Sequence, residues 1–149
     1  MLNVSDNKNN NPYIKLDDYK SFDYEIPNIF LDFIIEDKRV IVKTELKLIK
    51  KNININSLIL DGIDIFVEKI YLDESLLEEN NYSIQKNRLL IKPILKETFT
   101  LKIVGTIKPK ENFSLLGMYE SNGIITTQCE AEGFRRISYH SDRPDILSK

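Results

Sequence analysis

Val40-Ile41-Val42-Lys43-Thr44-Glu45-Leu46-Lys47-Leu48-Ile49 is the stretch that decides the fold. Val40, Val42, Thr44, Leu46 and Leu48 share one parity, and Ile41, Lys43, Glu45, Lys47 and Ile49 share the other. Successive side chains of a strand point to opposite faces, so one face of this strand is apolar and the other largely charged. Just before it, Ile29, Leu31, Phe33 and Ile35 alternate within Tyr24–Ile35, and Glu36-Asp37-Lys38 is a short polar turn. Two period-two runs joined by such a turn predict an antiparallel hairpin with one face on a core.

Working outward, Ile53 to Leu60 reads as a strand ending at Asp61-Gly62, a dipeptide suited to a tight turn. Ile63 to Leu72 reads as the next strand, and Asp73 to Asn80 as an acidic loop without the spacing of a calcium-binding hand. Tyr82–Ile84 and Arg88–Ile91 frame a second hairpin around Gln85-Lys86-Asn87. Phe99, Leu101 and Ile103 alternate with polar neighbours in a further strand. Seven or so strands with no amphipathic helix predict an all-β domain: an antiparallel β-sandwich, or a bent, saddle-like sheet. The 22 isoleucines against a single alanine, Ala131, agree with sheet. Polar residues 1–14 read as a disordered leader, leaving 15–149 as one domain.

Composition narrows the function. Of 149 residues, 21 are basic and 23 acidic, for a net charge of −2, so no basic excess is available to neutralise phosphates and nucleic acid is not an expected partner. The lone Cys129 excludes an internal disulfide, and the lone His140 excludes a metal site built on histidines. No apolar run approaches the roughly 18 residues of a membrane span, and the N-terminus lacks the apolar core of a secretory signal. A cytoplasmic protein without a membrane partner is therefore expected.

After Leu115 the texture changes. The segment contains Gly117-Met118-Tyr119-Glu120-Ser121, then Thr127-Gln128-Cys129-Glu130-Ala131-Glu132-Gly133-Phe134-Arg135-Arg136-Ile137-Ser138-Tyr139, then Asp142-Arg143-Pro144-Asp145. If the backbone is extended here, Gln128 and Glu130 project from one face and Cys129 from the other. By itself a Gln and a Glu on one strand face are usually just solvated. Cys129 has no histidine at a nucleophile-base spacing and reads as a small apolar residue. Glu132 is placed to pair with Arg135 or Arg136, and Arg143 with Asp142 and Asp145. His140 reads as packing or surface.

The strings TQCEAEGFRRISY and DRPD, with GMYES and the earlier DYKSFDYEIPNIFLDF (residues 18–33), resemble the N-terminal domain of the zinc aminopeptidase N family, its bacterial alanyl-aminopeptidase branch in particular. The resemblance runs from about residue 15 to the end. It implies a parent enzyme that releases single residues from peptide N-termini, using a zinc ion held by a HExxH helix and a distant Glu, and a GxMEN loop. Neither motif occurs in this sequence, so the resemblance places the zinc in a domain absent from this chain, and the chain alone is expected to be inactive. It further implies that Glu130 helps to hold the substrate's α-amino group and that Gln128 lies along the substrate's first residue. Peptide N-termini are then the partners. The family's first domain continues beyond DRPD, so the chain reads as truncated, with an open sheet edge and self-association as the expected result. The competing reading is a non-catalytic β-sandwich that serves as a binding or interaction module.

Overall fold

The computed structural model describes residues 16–149, so the expected leader at 1–14 lies outside the described residues. Among the described residues, ten strands form three antiparallel sheets. The largest has the order β1 (Tyr24–Ile35), β2 (Val40–Lys50), β8 (Thr98–Ile107), β4 (Phe66–Leu72), β5 (Ser75–Leu76). A three-stranded sheet has the order β3 (Leu58–Asp61), β7 (Arg88–Ile91), β6 (Tyr82–Gln85). The hairpin of β9 (Gly117–Ser121) and β10 (Ile124–Gln128) stands alone. Among the described residues the only helical elements are short 3₁₀ turns, and no helix is long and apolar enough to cross a membrane. The all-β expectation holds, with antiparallel sheets consistent with a sandwich or a bent sheet.

The opening alternation does what its parity predicts. Val40, Val42, Thr44, Leu46 and Leu48 are all buried. In β8 their cross-strand partners are Ile107, Gly105, Ile103, Leu101 and Phe99 in turn. Ile70 of β4 extends this apolar face, and Leu58 and Leu60 of β3 with Leu89 and Ile91 of β7 close on it from the smaller sheet. A second cluster forms at the other end of β2, where Val40, Val42 and Ile107 meet Met118 of β9 and Ile137.

Several local expectations need correction. Residues 53–57 do not continue the strand before β3. Asn52 turns the chain instead, its side-chain carbonyl accepting from the Asn54 amide at 3.1 Å and its backbone carbonyl from Ile55 at 3.2 Å. Asp61-Gly62 is not a tight turn either: Asp61 belongs to β3 and exchanges both backbone hydrogen bonds with His140 at 2.8 and 3.0 Å. Gly62 is needed for space, since a Cβ there would sit 2.3 Å from the Tyr139 ring. The acidic loop holds β5, joined to β4 by Asp73 and Glu74, both at positive φ. In β1 the register shifts between Glu25 and Asn28, so Tyr24 and Ile26 face the core before the shift and Ile29 and Leu31 after it, while Phe33 and Ile35, opposite Val42 and Val40, stay exposed. The outer edge of β1 is partly occupied: Lys149 donates to the Pro27 carbonyl at 3.1 Å and accepts from the Ile29 amide at 2.9 Å.

The two faces of β2 should respond very differently to truncation. Leu46→Ala should lower unfolding stability by about 2–5 kcal/mol, whereas Lys47→Ala should change it by less than about 0.5 kcal/mol. Urea midpoints of the two variants check this.

Candidate functional site

Asn122 and Gly123, both at positive φ, reverse the chain between β9 and β10 and set the register Thr127 opposite Met118 and Gln128 opposite Gly117. The strand then ends at Gln128, so the expected alternation across Gln128, Cys129 and Glu130 does not occur. Residues 130–133 form a turn closed by the Gly133 amide donating to the Cys129 carbonyl at 2.8 Å. Gln128 and Glu130 still come together, by another route. The Gln128 amide nitrogen donates to the Glu130 backbone carbonyl at 3.3 Å, and both residues are exposed. The Glu130–Ala131 peptide bond is cis. Among the described residues, the Glu130 carboxylate has neither an ion pair nor a side-chain hydrogen bond.

Glycines make this turn possible. A Cβ on Gly133 would sit 2.3 Å from the Gln128 carbonyl oxygen and 2.9 Å from the Cys129 Cα. Gly117 has φ +75° and no room for a Cβ beside Arg136. The start of β9 and the turn after β10 thus touch backbone to backbone.

Behind the turn the chain runs through the interior. Ile137 enters the second cluster, and the Ser138 and Thr44 hydroxyls share a buried hydrogen bond of 2.6 Å. Tyr139 then lies in the main core against Gly62. The expected ion pairs form with one exchange of partners. Arg135 meets Glu132 at 3.3 Å, as expected, but also captures Asp142 at 3.1 Å, which was expected to pair with Arg143. Arg143 makes a two-pronged contact with Asp145 and not with Asp142, 2.8 Å for each prong, and Tyr19 donates to the same carboxylate at 2.6 Å; Arg143 and then Tyr19 hold Asp145 well below the usual carboxylate range. Arg136 pairs with Asp64.

Cys129 is half-buried against the second cluster. Burial, with the Asp142 charge, pushes its thiol pKa up, away from the thiolate a nucleophile needs. His140 is buried, edge-on to Phe134 with ring centroids 5.3 Å apart. Its Nδ1 lies 3.0 Å from the Ser141 carbonyl, which can only accept, so Nδ1 carries the proton and the buried Nε2 has no partner among the described residues. Burial lowers the His140 pKa, outweighing the nearby Asp142 and Asp61 charges. Among the described residues, no three His, Cys, Asp or Glu side chains converge as the ligands of a metal ion would.

Comparison with known proteins gives this geometry a context. No protein-family model matches the chain. It is 36% identical over 132 residues to Aminopeptidase N of Haemophilus influenzae, a match spanning 89% of this chain and 15% of that protein. The crystal structure of Legionella pneumophila aminopeptidase A in complex with aspartic acid superposes with a TM-score of 0.80 at 35% identity, covering 91% of this chain and 16% of that one. The chain is similar to part of aminopeptidase N. An M1 zinc metallopeptidase from Deinococcus radiodurans, at 12% identity and a TM-score of 0.70, shares the fold over 86% of this chain and 31% of its own. The chain thus spans about a sixth of the aminopeptidases it matches at 35–36% identity.

Two measurements test this local structure. Gly133→Ala must open the turn against backbone atoms and should destabilise by about 1–3 kcal/mol in urea unfolding. His140 is held neutral in the fold, whereas the unfolded chain takes up a proton below pH about 6.5, so stability should decline as pH falls through that value. In His140→Gln the decline between pH 6.5 and 5.5 should flatten, as read from thermal midpoints.

Proposed function

We propose that this chain is the N-terminal, substrate-anchoring part of a zinc aminopeptidase that releases N-terminal residues from peptides. Glu130 holds the free α-amino group of the substrate, and Gln128 lies along the substrate's first residue. The observation that carries the reading is a carboxylate with no cation among the described residues, Glu130, set on a hydrogen-bonded turn beside the Gln128 amide and facing solvent. An exopeptidase must place the first peptide bond, and no other, at its reacting centre, and the charge of the terminal amine is the feature that marks that bond. A carboxylate suits a protonated amine, because a hydrogen bond to a charged group contributes about 1.5–3 kcal/mol. The likeness to aminopeptidase N at 36% identity over most of the chain supports the parent activity.

The zinc of such an enzyme, which supplies the Lewis acid and the activated water when bound, belongs on this reading to other parts of the parent protein. The residues described here bind and orient the substrate. The Gln128 amide is already engaged with the Glu130 backbone, which fixes its plane and leaves its carbonyl oxygen and second N–H for the peptide.

In the full-length enzyme, Glu130→Ala should raise KM for aminoacyl substrates and lower kcat/KM by roughly 10- to 100-fold, since an anchor worth about 1.5–3 kcal/mol is lost. Steady-state kinetics on aminoacyl anilides check this, and unchanged parameters would remove Glu130 from the site.

A further inference from the structure

We infer that Asp142 and Arg135 are positioning residues for Glu130, an inference that rests on the amine-anchoring reading above. Asp142 Oδ2 accepts from both the backbone N–H and the Nε–H of Arg135, at 3.0 and 3.1 Å. Arg135 Nη2 donates in return to the Asp142 backbone carbonyl at 2.8 Å. The side chains are 18% and 12% exposed, which makes this the one ion pair among the described residues with both partners under a fifth exposed. Pairs this sheltered recover little net stability, because desolvation consumes most of the attraction. What the pair does supply is a fixed place for the backbone. It ties the foot of the Glu130 turn to the 140–145 segment, which is itself anchored to β3 through Asp61 and His140.

Arg135 has a second effect on the site. Its Nη2 lies 3.3 Å from Glu132 Oε1, so the neighbouring carboxylate of the same turn already has a cation beside it. Glu130 is left as the carboxylate of the turn with no counter-charge among the described residues. A substrate amine that would otherwise choose between two acids two residues apart is directed to one. The turn's other side-chain brace is the Gln128 amide on the Glu130 backbone carbonyl; Glu130 itself makes no side-chain bond among the described residues, so its position follows from its backbone.

A double-mutant cycle in the full-length enzyme tests this. Asp142→Ala should lower kcat/KM on aminoacyl substrates by roughly 10- to 100-fold, as small misplacements of a binding group do. In a Glu130→Ala background the same change should cost less than about twofold, because there is no longer an anchor to misplace. Asp142→Asn keeps an oxygen for the two Arg135 N–H groups and should recover part of the loss, and the same cycle run with Asp142→Asn decides the matter if the alanine variant does not fold. Additive losses in the cycle, or a single Asp142 variant with wild-type kinetics, would overturn the positioning role while leaving Glu130 in place. A silent Glu130→Ala would overturn the anchoring reading itself, and this inference with it.

Discussion

The row Val40, Val42, Thr44, Leu46 and Leu48 must be removed from water, and the rest of the structure follows from that requirement. Paired with β8, the row makes an apolar surface longer than one small sheet can cover. The β3–β7–β6 sheet closes over its Leu46–Leu48 end, and Met118 and Ile137 close over Val40 and Val42. Between the two clusters lies Thr44, the single polar member of the row. Its hydroxyl needs a partner once buried, and Ser138 provides one. The chain leaving the Glu130 turn is therefore fastened to β2 through the one position where the buried row of that strand is not apolar.

This arrangement explains why a solvent-exposed carboxylate can hold a fixed place. An anchor for a substrate amine needs an accessible charge on an inaccessible backbone. The exposed side of the turn carries Gln128, Glu130 and Glu132, while its inner side is filled by Gly133 against Gly117 and by half-buried Cys129. The Cys129 thiol, kept protonated by burial, contributes volume there and no chemistry.

The two long central strands and the hairpin at β6–β7 were legible because each rests on local period-two patterning with enough length to dominate. Where the sequence misled, longer-range contacts decided. Asp61-Gly62 has the composition of a turn, yet the Tyr139 ring from 77 positions later is what requires the glycine, and no local pattern reports that distance. Asp142 stands beside Arg143 in sequence, but it pairs with Arg135, whose half-buried backbone N–H and guanidinium both donate to it. The β9–β10 hairpin went unread although its signal, Asn122-Gly123, was present. At Gln128 and Glu130 the residue types pointed to one place and the assumed strand did not, because Gly133 pulls the chain into a turn before alternation can continue.

Tyr139 over Gly62 also bears on whether the site is portable. The thirteen residues Thr127–Tyr139 look like a cassette that could be moved to another scaffold. In this fold they hold their shape only with a hydroxyl from residue 44, a bare Cα at residue 62 and a carboxylate from residue 142. A transplant of the linear motif alone would carry the charged groups and leave behind the surfaces that aim them.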